Sequence, residues 1–454
     1  MKKTLIPLLL LPIFGAPSAQ AAVELIAIGR IDPSYQDLST RTAGPLESGV
    51  PGNMLGSLGS GLAYAGDNIF IAIPDRGPNA TPYDPAIDDT TSYINRFQTL
   101  NLSLAANPDY DSLVVGSLPY ILSPFLTATT LLSSTLPLSY GVDGEPALNT
   151  VNKYYFTGRS DNFNPARQSI NPFHGRFDPE GVRVSNDGKS VFISDEYGPY
   201  VYQFKRTTGK RMKAFKLPDY FAVTHLRAFE KGPDGEIAVN TVGRTTNKGM
   251  EGLAITSNGK TLVGSMQTQL LQDEKKYVRI VTINIETGAT HEYAYLLTDG
   301  SGVSEIVAIN NHEFLVDERD GKGLGDGSSA VVKKLFKIDL TGAADISGTV
   351  SIGTGTPTVA KTLFLDVVAE LTANGISATN IPAKIEGVAF GPDILIEGAN
   401  KHTLFVANDN DFLATVNGVN NPNQFFVFSI DESDLPTFLQ QNVAPFVLDD
   451  HDRG

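Results

Sequence analysis

The chain has 454 residues, 43 of them glycine and 27 proline, with no cysteine and a formal net charge of −15. Lack of cysteine excludes disulfides, thiolate metal sites and thiol nucleophiles, so stability must come from the core that a 41% hydrophobic content can build. So acidic a chain is a poor partner for nucleic acid or an anionic membrane surface and a good one for cations, and its six scattered histidines show no zinc-ligand spacing.

In chain order, the first element is a leader. Lys2 and Lys3 precede an apolar run from Thr4 to Pro17, and Ala19-Gln20-Ala21 fits a small-residue cleavage site, so residues 1–21 read as a secretory signal peptide. No later stretch offers some twenty uninterrupted apolar residues. The expectation is an exported protein, secreted or periplasmic, soluble and monomeric, with residues 22–454 forming one domain.

The next elements repeat. GLAYAGDNIFIAIPDRG at 61–77, EGVRVSNDGKSVFISDEY at 180–197, EGLAITSNGKTLVGSM at 251–266, SEIVAINNHEFLVDERD at 304–320 and EGVAFGPD opening 386–411 each read as two alternating strands around a turn. Residues 144–160 offer a weaker sixth copy. Units too small to bury their own faces imply radial repetition, so the fold class expected is all-β, a six-bladed β-propeller. The segment Val23 to Ile31 is expected to close the ring by pairing with Gln424 to Ile430. Residues 82–140, rich in Leu, Ser, Thr and Pro, read as an insertion able to cap one face. Short helices are expected at Leu365 to Asn374 and at Glu432 to Gln441.

In a propeller, equivalent offsets in successive blades converge on the channel. Glu180, Glu251 and Glu386 share such an offset, each followed by a glycine that allows close backbone approach. Carboxylates gathered there repel one another unless a cation neutralises them, and Ca²⁺, which takes six to eight hard oxygen ligands, suits a site without His or Cys. Asp75, Asp195 and Asp409, at the ends of second strands, complete the candidate metal ligands. Glu196, Arg76, Arg319 and Tyr197 are the catalytic candidates; Lys384, Asn247, Lys248 and Asp320 are the substrate-binding ones. Strand-end Asp and Asn also serve ordinary turns, and the cations also fit local ion pairs. His174 reads as a packing or solvent residue.

The runs FDPEGVRVSNDGKSVFISDEYGPYVYQF at 177–204, NKGMEGLAI at 247–255, KIEGVAF at 384–390 and DRG at 75–77 resemble the bacterial phytase-like propeller proteins, the family described by the esterase-like activity of phytase. The likeness runs from about residue 60 to residue 430. It implies a six-bladed propeller and a hydrolase activity. The Glu-Gly strand starts are also similar to calcium-binding propellers of the gluconolactonase, paraoxonase and strictosidine synthase groups, which implies that Glu180, Glu251 or Glu386 ligates metal. The copies at 61 and 304 depart from this by lacking Glu-Gly.

With no Gly-x-Ser-x-Gly elbow, attack by water is the expected route, on a small-molecule phosphoester or carboxylic ester with calcium assisting. A lactonase is the enzymatic alternative, and a non-catalytic binding propeller with structural calcium is the other. Few cations stand among the motif residues, which argues against a hexaphosphate substrate.

Overall fold

The computed structural model describes residues 23–84, 88–229 and 232–445; the leader read at 1–21 lies outside the described residues. The five repeated hairpins are the inner halves of five antiparallel sheets, four of them four-stranded and the fifth carrying a short extra strand, Ile394–Ile396, beside its path of four. Blade 1 runs Gly61–Tyr64, Ile69–Ile73, Arg96–Ala106 and Tyr120–Leu131; blade 2 runs Pro179–Val184, Ser190–Asp195, Tyr200–Lys205 and Arg211–Lys216. Blade 3 comprises Met250–Ile255, Thr261–Met266, Tyr277–Asn284 and Thr290–Leu296, and blade 4 comprises Gly302–Ala308, Glu313–Arg319, Lys333–Asp339 and Lys361–Asp366. Blade 5 orders Lys384–Phe390, Ala399–Asp409 and Asn423–Asp431, with the N-terminal Val23–Ile31 as its outermost strand.

That last pairing, from Val23 opposite Ile430 to Ile31 opposite Asn423, closes the ring as the sequence predicts. The inner strands contact one another in the cycle 1–2–3–4–5–1, so the propeller has five blades, not six. The expected sixth unit fails because residues 144–160 contain only Tyr154–Tyr155, paired with Ser133–Ser134, and otherwise turns.

Apolar faces of neighbouring blades pack together all round the ring. Val182, Val184 and Ile193 of blade 2 meet Ile71 and Ile73 of blade 1, while Phe405 and Phe425 of blade 5 meet Phe70 and Leu100 on the other side. Because each blade buries both faces this way, none is stable alone.

Two further expectations change. Residues 82–140 supply the third and fourth strands of blade 1 instead of forming a capping insertion. The outermost strand, Tyr120–Leu131, has only one covered side and buries just Leu122 and Leu126, which thins its period-2 signal. The helix expected at 365–374 exists as Val367–Ala373, with Asp366 accepting the Ala369 N–H at 3.0 Å as its N-cap. No helix forms at 432–441. Pro436 lies inside that segment, and its later residues bond to blades: Leu439 N–H to Ile309 O, and Gln441 Nε2 to Val184 O at 2.7 Å. This segment covers the lower end of the channel.

Candidate functional site

The channel begins with a repeated backbone device. Register shifts interrupt the inner hairpins between Pro179 and Val182, Met250 and Gly252, Val303 and Glu305, and Ile385 and Val388. Such bulges re-aim one side chain per blade, and here they sit at Glu180, Glu251, Ser304 and Glu386. The glycine after each glutamate allows the ring to close tightly. A Cβ on Gly181 would stand 2.5 Å from Leu253 N, and one on Gly252 2.8 Å from Ile306 N.

Below these positions the channel is blocked. Arg183 of blade 2 donates to carbonyls of Leu62 (2.5 Å), Val182 (2.7 Å), Ile306 (2.8 Å) and Val388 (3.3 Å), and pairs with Glu305 at 3.1 Å. The cavity above it, about 190 Å³, is therefore open at one end of the ring.

The structure brings eleven of the predicted site residues to this cavity: Glu180, Glu251, Glu386, Asp75, Asp409, Glu196, Arg76, Arg319, Lys384, Asn247 and Lys248. Asp411 and Gln267 join them, with Asp178 immediately behind. Three predicted residues face elsewhere. Asp195 is fully buried, accepting the N–H groups of Asp178 (3.1 Å) and Tyr197 (3.0 Å), so it shapes the loop that carries Glu196. The Tyr197 hydroxyl donates to Gly158 O at 3.0 Å. Asp320 binds Lys333 at 2.6 Å. In each case a nearby donor or acceptor holds the side chain away from the axis. His174 is buried: Nδ1 accepts Asn164 N–H at 3.1 Å and Nε2–H donates to Gln168 O at 3.0 Å, which fixes its tautomer.

Each cation is held by acids or amides. Arg76 Nη1 donates to Asp178 Oδ2 at 3.0 Å and to Asn247 Oδ1. Arg319 Nη2 bridges Glu386 and, at 3.4 Å, Glu251. Lys384 Nζ spans Asp409 (2.7 Å) and Asp411 (2.5 Å), and Lys248 donates to Gln267 at 3.1 Å. Negative charge still exceeds positive. Seven lining carboxylates plus Asp178 face four cations, and one oxygen of the 3% exposed Glu251, Oε2, has no hydrogen-bond partner.

Burial, reinforced by Glu251 and Asp178, pushes the pKa values of Glu180 and Glu196 well above the carboxylate range. Glu386 is raised likewise, since burial outweighs the attraction of Arg319. Burial works against the Lys384 ammonium, yet Asp409 and Asp411 outweigh it and raise its pKa. Ligand oxygens of Asp178, Glu180 and Glu196 lie within 4.8 Å of one another, as do those of Asp75, Asp409 and Asp411. An orphaned carboxylate oxygen among hard oxygen donors fits a divalent cation of the calcium kind.

Sequence reasoning passed over Asp178, and of the strand-end set Asn408 to Asp411 it carried only Asp409 into the site. Asp178 precedes Glu180 by two residues, as Lys384 precedes Glu386, so the signal was present in D-P-E.

Fold and site together define a five-bladed propeller with an acidic, one-ended axial cavity. The family described as phytase-like, esterase-like activity of phytase, matches residues 54–412, and the chain belongs to it. A relative, an uncharacterized secreted protein of Arthroderma benhamiae, is 28% identical over 325 residues, covering 59% of this chain; the match spans 60% of that relative's length. Solved structures similar to the chain include an aldose sugar dehydrogenase of Streptomyces coelicolor in its PQQ-bound form (12% identity, 91% and 99% of the two chains, TM-score 0.33) and the hydrazine synthase of Kuenenia stuttgartiensis (10%, 78% and 78%, 0.32). Similarity at that level speaks to neither chemistry nor ligand.

Proposed function

We propose that the protein is an exported hydrolase of phosphoesters or carboxylic esters that works with a bound calcium ion in the axial cavity. The carrying observation is the uncompensated acid cluster: the Oε2 oxygen of Glu251 is buried without a hydrogen-bond partner, and the largely buried Glu180, which lines the cavity, accepts no hydrogen bond or ion pair among the described residues. Burying such groups is costly without a cation. Family membership supports ester chemistry, and the leader and the secreted relative support export.

In this reading Asp178, Glu180 and Glu196 hold the cation. When bound it supplies Lewis acidity toward a substrate oxygen. Glu251 is the base: Gln267 Nε2 holds its Oε1 at 2.8 Å, leaving Oε2 to take a proton from attacking water. Arg319, between Glu251 and Glu386, faces the negative charge that develops on the substrate. Arg76 fixes Asp178 and Asn247, a positioning task. Because the cavity's cations are already paired with acids or an amide, a substrate of low charge suits it better than a polyphosphate.

A panel of nitrophenyl phosphate, bis-nitrophenyl phosphate, nitrophenyl acetate, a γ-lactone and phytate, assayed with calcium or with EGTA, tests this. Turnover of a monoester or diester that EGTA and Glu180→Gln both abolish supports it. Preference for the lactone moves the assignment to a lactonase. Calcium binding with no turnover across the panel would favour the binding-propeller reading, which the prior pairing of the cations also fits.

A further inference from the structure

The two acidic groups of the cavity look alike in composition but differ in what already fills them. In the first, Arg76 lies to one side, engaged with Asp178 through both its backbone N–H (3.1 Å) and Nη1 (3.0 Å). Glu196 accepts only the Gly249 N–H, at 3.0 Å, and no hydrogen bond reaches the Glu180 side chain among the described residues, although it is 7% exposed. Among the described residues no cationic side chain makes an ion pair with Glu180 or Glu196, and Glu251, with its unpartnered Oε2, adds its charge beside both.

In the second group a cation is built in. The Lys384 ammonium lies between Asp409 Oδ2 and Asp411 Oδ1 and pairs with both. Two further acceptors are occupied as well: Asp409 Oδ1 takes the Ser57 hydroxyl and the Asp411 N–H (2.6 Å), and Asp75 Oδ1 takes the Gly77 N–H (2.9 Å), which leaves Asp75 Oδ2 and Asp411 Oδ2 as this group's open acceptors among the described residues. Gly77, at φ +101°, can adopt this turn where a side chain would strain it and strike the Tyr93 ring.

We propose that the cavity has a single exchangeable site for a divalent cation, at Asp178, Glu180 and Glu196, and that Lys384 is the permanent cation of the second group, Asp75, Asp409 and Asp411. The proposal rests on the reading that the cavity takes calcium. It makes the centre mononuclear, with a fixed ammonium neutralising the second acidic group in place of a second ion.

The test counts calcium ions bound to the full chain, chelated and then titrated with calcium alone, by native mass spectrometry and calorimetry. The wild type is expected to hold one ion that Glu180→Gln lacks, or binds at least tenfold more weakly. Asp409→Asn is expected to keep that ion, because its group binds none. Lys384→Met, if its circular dichroism matches the wild type, is expected to gain one ion over the wild type. Loss of an ion in Asp409→Asn, or two cavity ions in the wild type, overturns the mononuclear assignment while leaving a calcium hydrolase standing. No ion lost between wild type and Glu180→Gln overturns both. The Asp409→Asn count decides the question even where Lys384→Met does not fold.

Discussion

Arg183 occupies the offset, three residues after the channel glutamate, that holds Ala63, Ala254, Val307 and Ala389 in the other blades. Only one blade can send a long side chain to the axis, and its guanidinium gathers carbonyls from four of the five inner strands. Burial lowers the Arg183 pKa and raises that of Glu305 to about 8, so desolvation outweighs the pairing on both sides. Removing one partner leaves the other charge buried, and Glu305→Ala is expected to cost roughly 3–5 kcal/mol in denaturant unfolding. A loss under about 1 kcal/mol would mean that the carbonyls alone satisfy the arginine. His174 is the second residue with a defined prediction. Burial, then Arg176, depresses its pKa to about 4 from an ordinary 6.5. A depressed pKa favours the neutral ring in the folded state, so its contribution is intact above pH 6.5 and fades as the pH falls towards 4. His174→Gln should flatten that decline in melting temperature between pH 7 and 4.5. An identical decline in both proteins would assign the acid sensitivity to other groups.

At the scale of strands, the glutamate-glycine step carries two jobs that the sequence shows as one motif. Glutamate reaches the cavity through the bulge, and glycine admits the neighbouring blade's backbone. Gly252→Ala should therefore destabilise by about 1–3 kcal/mol, because its Cβ would press on the Glu305 and Ile306 backbone. Gly321→Ala, in open space, should change stability by less than about 0.5 kcal/mol. Equal effects in thermal melts would remove the packing argument. The inner hairpins of blades 2 and 3 were the most legible because their turns carry Asp-Gly and Asn-Gly: Gly188 and Gly259 adopt φ +69° and +70°. The closing strand was legible too, since Val23–Ile31 alternates and has no other partner in the sequence. Outer strands were not. Arg96–Ala106 and Tyr120–Leu131 lie far from the axis, where one-sided burial tolerates Ser, Thr and Pro, so half of blade 1 read as an insertion. The sixth blade arose from the same weakness, because YYF at 154–156 looks like a full strand yet forms only the two-residue strand Tyr154–Tyr155, beside blade 2. Within the site, sequence offsets located the acids of the inner strands, whereas Asp195, Tyr197 and Asp320 are decided by local donors that no spacing reveals.

For the whole molecule, ring closure makes the cavity a property of all five blades at once: its carboxylates come from blades 1, 2, 3 and 5 and Arg319 from blade 4. Asp178, Glu180 and Glu196 all belong to the blade 2 hairpin, but that hairpin is ordered only when its faces are packed in the ring, so a cation there binds the folded chain and not the unfolded one. It must then stabilise the fold by mass action, by about 2.7 kcal/mol at a hundredfold excess over its dissociation constant. The net charge of −15 concentrates cations of any kind near the protein, so a gain that is merely electrostatic would appear equally with magnesium and would vanish in 0.5 M NaCl. A gain from direct carboxylate ligation differs on both counts. Calcium's flexible, larger coordination suits bulge-borne glutamates better than magnesium's strict octahedron, and a buried site is poorly screened by salt. Thermal melts in calcium, magnesium and EGTA, each at low and high salt, should therefore show a calcium-specific, salt-resistant rise that Glu180→Gln removes. A rise shared by both metals and erased by salt would place the cations on the outer surface instead of the axis.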